Sequence, residues 1–482
     1  MFWEEENREK MERKVASRIM LPLLLTGMFT FALYGQQVKA SGTIYIRADG
    51  SVDPPDAPIS SIDNVTYTLT NNIHDSIVVE RDNIVFDGGG YTVQGTGSGN
   101  GIYLPRRSNV TIRNVEIKEF QTGIRLYQSL NNHVYGNNVT NNQYGVWLYW
   151  SFNNSVSGNN VTANDESGVR VWYFSKDNSV SGNNIANNGD GIGVSESLNN
   201  DISGNNITAN NHDGVWLYWS SNSSISENNI TMNNRDGIGL YWSSNYNNVS
   251  GNNIIANKRL SIGLYESSNN KFYHNNFIDY FPQVYGFTSG CANFWDDGYP
   301  SGGNYWSDYA GTDFYGGPYQ NETGSDGIGD TAYTIDDENR DQYPLMGPFS
   351  TFDAGTWNET LYSVNVISNS TVSKFHLDTA EKMINFNVTG ENGLGFCRVT
   401  IPNVIVQSMW HDNYTVFLNG DPCPFQNWTD TENTYIYFTY QHSEHEVTII
   451  PEFPSTMILP LFMVLTMLAI VLKRRFPRKL ET

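Results

Sequence analysis

Between Asn131 and Phe277 the chain repeats one phrase seven times. The phrase runs Asn-Asn-x-Val-x-Gly-Asn-Asn-Val-Thr, a short gap, then Gly-Val-x-Leu and a Ser/Asn turn. Its first apolar residue falls at Val134, Val156, Val180, Ile202, Ile225, Val249 and Phe272, in steps of 22 to 24 residues. Two looser copies precede it, at Val110 and Ile84. A self-repeat of this period marks a solenoid, in which one unit cannot bury its own apolar face and stacking supplies the core. Function then has to come from a long repetitive surface rather than from a compact pocket.

The spacing within a unit decides the kind of solenoid. Each unit holds short runs of three to five residues with β-branched residues at alternate positions. In Gly145-Val146-Trp147-Leu148, Val146 and Leu148 point one way and Trp147 the other. Long 3.6-period segments are missing, and so is the fuller leucine framework of a leucine-rich repeat. Short strands joined by Asn- and Gly-rich turns predict an all-β molecule built on a right-handed parallel β-helix. Nine coils about 4.8 Å apart make a rod on the order of 43 Å long. Asn137, Asn159, Asn183, Asn205, Asn228, Asn252 and Asn275 share one turn position. Their amides are placed to hydrogen-bond up the stack, and Asn tolerates left-handed turn geometry. Gly123, Gly145, Gly168, Gly191, Gly214 and Gly237 form a column that reads as another tight turn, broken at Ser261.

This pattern resembles the NosD-type, carbohydrate-binding and sugar-hydrolase group of β-helix repeats. Gly303-Asn304-Tyr305-Trp306-Ser307-Asp308-Tyr309 and Asp326-Gly327-Ile328-Gly329-Asp330 resemble the tail that closes such helices in archaeal surface proteins. The resemblance spans roughly residues 43–350. It implies the fold more than an activity, because this repeat hosts lyases, hydrolases, epimerases, binding proteins and structural proteins.

The ends suggest export. Arg13, Lys14 and Arg18 precede an apolar run from Ile19 to Leu33, and Val38-Lys39-Ala40 offers a small-residue cleavage site. Residues 1–40 therefore read as a signal peptide, with Met11 a candidate true start and an uncleaved anchor the alternative. Pro451-Glu452-Phe453 leads into an apolar run, Thr456–Leu472, and then a basic tail. That order predicts a transmembrane helix with a cytoplasmic flank. It also resembles the sorting tails of archaeal surface proteins. Dense glycosylation sequons, among them Asn138, Asn160, Asn206 and Asn229, fit a surface glycoprotein. The net charge of −22 argues against nucleic acid and other anionic polymers as default partners.

Between the ends, residues 41–283 read as the β-helix with its cap. Residues 284–350 read as a Gly-, Asp- and aromatic-rich closing segment. Residues 353–450 read as a small antiparallel β-sandwich of short alternating strands, with no confident helix. Cys397 and Cys423 share that last domain and are candidates to pair; Cys291 is left over.

Outward positions on the Gly-Val-x-Leu strand are the informative ones. One column holds Tyr103, Arg125, Trp147, Arg170 and Trp216. The next holds Tyr127, Tyr149, Trp172, Tyr218, Tyr241 and Tyr265, interrupted by Ser195. Just beyond stand Trp150, Tyr173, Trp219 and Trp242. Half of the 12 Trp fall in this stripe, which concentrates it beyond chance scatter. Aromatic faces stack on sugar rings, so the stripe suits a linear extracellular glycan or cell-envelope polymer. The alternative is a self-supporting stack that stabilises the solenoid.

Beside the stripe lies an acidic column, Asp190, Asp213 and Asp236, with Asp165 and Glu166 displaced in the coil before and His212 and Arg235 adjacent. Stacked carboxylates raise each other's pKa unless a cation intervenes. They are candidates for acid–base glycoside chemistry or for holding Ca²⁺ against an acidic sugar, unless Asp-Gly is only turn chemistry. A lyase base among Arg170, Arg235 and Lys258 carries no distinguishing signal. Asp326, Asp330 and Asp336 offer oxygen ligands for a structural Ca²⁺, outside any EF-hand spacing. The NosD resemblance implies copper, but copper sites group His, Met or Cys, and the eight His are scattered. The expectation is a surface-anchored glycan-binding β-helix; a polysaccharide-modifying enzyme and a purely structural envelope protein are the alternatives.

Overall fold

The computed structural model describes residues 42–278, 282–286 and 291–452. The repeat closes into a parallel β-helix. Each coil gives one strand to each of three sheets, of 12, 11 and 10 strands. A typical coil places Tyr144–Tyr149, Ser155–Ser157 and Asn160–Thr162 on the three faces in turn. Neighbouring coils pair in phase, so Val134 lies beside Val156 and Val156 beside Val180. Alternation drives Val146 and Leu148 inward and turns Trp147 and Tyr149 outward. The inward residues join into one continuous core from Ile44 to Trp306.

Buried polar ladders tie the corners. Asn137, Asn159 and Asn183 pass a side-chain hydrogen bond up the stack, Nδ2 to Oδ1, at 2.9 and 3.0 Å. Asn159 Nδ2 also donates to the Val134 carbonyl, and its Oδ1 accepts the Asn137 backbone N–H. Every hydrogen-bonding group of the buried amide is thereby satisfied within the stack. Two more Asn ladders, through Asn132 and through Asn142, run in parallel, and a Ser ladder through Ser129 and Ser151 fills the fourth corner. Left-handed geometry falls on the residue before each ladder member, such as Gly136 or Asn131, rather than on the stacked Asn itself. The spacing from the Asn132 ladder to the Asn137 ladder to the Asn142 ladder is five residues at each step, and it holds through the coil of Asn247, Asn252 and Asn257. In the closing coil Asn293 and Asn304 extend the first two ladders from positions farther apart. The first coil is longer between Val85–Asp87 and Thr92–Gln94. From the coil of Asn132 to that of Asn257, length varies only at the two corners bordering the sheet of long strands. One inserts at Tyr173-Phe174 and Trp242-Ser243; the other inserts ahead of Gly168, Gly214 and Gly237.

The glycine column differs from its expected role. Gly123, Gly145, Gly168, Gly191 and Gly237 lie within strands, and none of the column has a positive φ. A Cβ at Gly191 would stand 2.3 Å from the Gly214 carbonyl oxygen and 2.5 Å from Ile207 Cγ2. The column exists because the strand is pressed against the next coil and the core, not because the chain turns there.

Short antiparallel strands cover the first coils, Val52–Asp53 beside Ile44–Ile46 and Ile59–Ser60 beside Thr66–Leu69. At the far end Trp295 stacks on Phe272 at 4.2 Å, and Trp306 packs at a tilt against Phe277 at 4.4 Å. Asn304 extends the ladder past Asn275. Two five-stranded antiparallel sheets follow, spanning Phe349 to Pro451. The Asn276 side chain bonds both the N–H and the carbonyl of Phe349. The buried Arg398 guanidinium reaches back to the carbonyls of Asp326 and Pro300. A helix, Asn403–Trp410, corrects the all-strand expectation for this region; it buries Ile405, Val406, Met409 and Trp410. Cys397 and Cys423 are free thiols in one core. Among the described residues no helix is long and apolar enough to cross a membrane. The expected signal peptide and the apolar run Thr456–Leu472 lie outside the described residues.

Candidate functional site

The sheet of long strands carries the aromatic stripe on its outer face. Register places Tyr103, Arg125, Trp147, Arg170, Gly193, Trp216, Gly239 and Gly263 in one outward column. Tyr127, Tyr149, Trp172, Ser195, Tyr218, Tyr241 and Tyr265 make the next. Small residues in the coil of Gly193 and Ser195 divide the stripe into two patches. In the first, Tyr127 stacks on Tyr149 at 5.5 Å, Trp147 on Trp172 at 5.6 Å and Tyr149 on Tyr173 at 5.3 Å. In the second, Tyr218 meets Trp219, and Trp242 meets Tyr265, each at 4.6 Å. Trp216 leans across the gap, where a Cβ on Gly193 would lie 2.4 Å from its ring. The rings therefore do support one another.

The corner residues differ. Trp150, Trp219 and Trp242 have φ of 50°, 49° and 52°. They are 41%, 51% and 37% exposed. At the same corner other coils carry Gln128, Glu196 and Glu266, and one carries the pair Tyr173 and Phe174. A bulky side chain in left-handed backbone costs roughly 1–2 kcal/mol.

The acidic column is brought together, but beneath the surface. Asp213 is 3% exposed and Asp236 fully buried; Asp190 is more open. The Asp236 N–H donates to Asp213 Oδ1 at 3.1 Å, and the Asp213 N–H to Asp190 Oδ1 at 3.3 Å. Tyr241 folds flat over Gly239, and its hydroxyl lies 2.9 Å from Asp236 Oδ2 and 3.2 Å from Asp213 Oδ2. Arg259 pairs with Asp236 through two nitrogens. Arg235 lies 3.8 Å from Asp213, and His212 3.6 Å from Asp190. Burial, then the Asp236 charge, pushes the Asp213 carboxyl up to about 6. The same burial raises the Tyr241 phenol. The counter-cation on Asp236 is thus the protein's own guanidinium. Sequence reasoning passed over Arg259, although it lies one period after Arg235. It also placed Tyr241 in the ring stripe; the unread signal was Gly239 and Gly263, which leave room for the phenol to fold inward.

A family model for the periplasmic copper-binding protein NosD matches residues 57–239 and 173–311, together more than half of the chain. The chain belongs to the NosD family. No curated protein matches this NosD-family chain. Among solved structures it is similar to the periplasmic alginate epimerase AlgG, 18% identical over 51% of this chain and 71% of that one, TM-score 0.35. It is also similar to the A-module of the Azotobacter vinelandii mannuronan C-5 epimerase AlgE6, 17% identical over 55% and 84%, TM-score 0.38. The Dettilon tailspike protein is 11% identical over 78% and 87%, TM-score 0.38.

Among the described residues of this NosD-family chain the His and Cys donors do not fit copper. Among the described residues no group of three or more His, Cys, Asp or Glu side chains is placed to hold a metal ion. His442 Nδ1 faces the Asn392 carbonyl, whereas the His445 ring nitrogens face Asn419, Ser443 and the Gln441 carbonyl. Asp326, Asp330 and Asp336, expected to share a Ca²⁺, do not converge. Asp326 accepts the Ile328 N–H, Asp330 those of Phe314 and Tyr315, and Asp336 those of Glu338 and Asn339. Each carboxylate closes a different loop, so their Asp/Gly context reflects turn chemistry.

Proposed function

We propose that this NosD-family protein binds extracellular polysaccharide through the aromatic face, held at the cell surface by its C-terminal segment 451–482. The observation that carries this reading is the trio Trp150, Trp219 and Trp242. They occupy strained, exposed corners where other coils carry Gln128, Glu196 and Glu266, or the aromatic pair Tyr173 and Phe174 in the same left-handed geometry. Mutual stacking accounts for rings lying along the strands, but it does not require Trp where the backbone disfavours it. Exposed indoles aligned along a rod suit stacking on the faces of successive sugars.

Trp219→Gly tests this directly, because Gly relieves the left-handed corner. Retention of the full chain, kept in detergent, on a panel of immobilised polysaccharides should fall while the melting temperature holds or rises. A lower melting temperature with unchanged retention would make the ring a structural element. A second reading, polysaccharide modification, is favoured by one observation: the Asp213 carboxyl, held near 6, beside the Tyr241 phenol. New reducing or unsaturated ends on the same panel, lost in Asp213→Asn, would establish it.

A further inference from the structure

The first aromatic patch carries two cations held by rings and by no counterion. Among the described residues Arg106 at its edge makes no ion pair either, but it donates to Gln128. Arg47, Arg107, Arg113, Arg235 and Arg259 each meet a carboxylate. Arg125 and Arg170 do not: among the described residues neither makes an ion pair, and the Nε of each is buried without a hydrogen-bond partner. Rings hold them instead. The Arg125 guanidinium lies 5.0 Å from the Trp147 ring and 5.9 Å from the rings of Tyr103 and Tyr127. That of Arg170 lies 4.4 Å from Trp172 and 5.5 Å from Trp147. Register sets Trp147 between them. They therefore stand two coils apart, about 10 Å along the rod. Tyr103 and Tyr127 also line a shallow hollow of about 520 Å³ with Arg106, Arg107 and one carboxylate, Glu80. In a chain of net charge −22, a surface guanidinium has carboxylates available. Arg125 and Arg170 are left unpaired beside rings, and only their Nε are buried without a partner, which leaves the other guanidinium N–H groups to meet planar anions.

We propose, resting on the glycan reading above, that this patch selects polysaccharides bearing carboxylates, such as a polyuronate. The rings take the sugar faces, and Arg125 and Arg170 take carboxylates on alternate residues of the polymer.

The test measures binding of the full chain, in detergent, to polygalacturonate and to the same polymer after its carboxyls are reduced to alcohols. Wild type should prefer the acidic form by roughly tenfold for each guanidinium. Arg125→Gln with Arg170→Gln should bind both polymers alike, and the paired Lys substitutions should keep part of the preference. If the paired Gln variant melts early, Arg170→Gln alone carries the same test, with half the preference lost on a logarithmic scale. Equal binding of both polymers by wild type overturns the charge selection and leaves the glycan reading standing. A preference that survives the Gln substitutions overturns it as well. Single-stranded DNA held as tightly as polygalacturonate reduces the patch to an unspecific cation surface and overturns it too. If wild type retains neither polymer, nor any other glycan, both readings fall.

Discussion

Asp213 shows how one side chain can serve a ladder and oppose it. Its Oδ1 accepts the Asp236 N–H, which favours the corner, yet its charge is buried beside Asp236. A carboxyl held near 6 in the fold and near 3.8 unfolded binds its proton more tightly in the fold. Its contribution is full below pH 3.8 and is lost as pH rises through 6, on the order of 3 kcal/mol. Asp213→Asn keeps an oxygen for the Asp236 N–H and removes the charge. The variant should match wild type near pH 4 and melt higher at pH 7. A wild-type-minus-variant difference flat across that range would place the titration elsewhere. The three aspartates were legible because the repeat aligns them. Their burial was not, because it depends on Tyr241 folding over Gly239, and a period-2 pattern says nothing of ring orientation.

At the scale of the strand and its corner, paired neighbours separate ladder from surface. Asn183 is 1% exposed and holds Asn159, Val156 and Asn205 together through four hydrogen bonds. Asn184 is exposed and makes two solvent-facing side-chain bonds, donating to Asn160 and accepting from Asn206. Asn183→Ala orphans several buried groups at about 1–3 kcal/mol each, so a loss of at least about 3 kcal/mol is expected. Asn184→Ala should stay within about 0.5 kcal/mol. Urea titration of both decides it, and equal effects would refute the ladder's role. The sequence displayed one Asn column clearly, since the pair Asn-Asn recurs without change before an apolar residue. The Ser ladder was hidden behind variable neighbours. The helix Asn403–Trp410 was missed for another reason. Val404, Ile405 and Val406 are β-branched and favour strand by local propensity. What makes the helix is the packing of Ile405, Val406, Met409 and Trp410 at helical spacing, which no single segment reveals.

Across the whole molecule, a stack of coils ends in strands with unpaired edges unless something covers them. Trp306 does so at one end, between Phe277 and Tyr333 and bonded to the buried Asp341. Trp306→Ala should cost about 3–5 kcal/mol and bring association through the opened end. Light scattering that matches wild type would show the end covered without it. Charge acts on the same scale. If the anionic glycan is the partner, the net charge of −22 slows its approach while Arg125 and Arg170 hold it after contact. The association rate should then rise between about 0.01 and about 0.15 M salt, as the Debye length falls from about 30 to about 8 Å. A rate that falls throughout would mean the local cations govern the approach as well. In the middle coils, from Asn132 to Asn257, the fixed five-residue spacing between the Asn ladders, with insertions only at the two corners bordering the aromatic face, has a consequence for change over generations or by design. Two sides of the rod act as a ruler that rejects an added residue, because one slip would unthread every amide above it. The remaining side tolerates insertion at its margins, so new binding specificities can be written there while the rest of the chain keeps count.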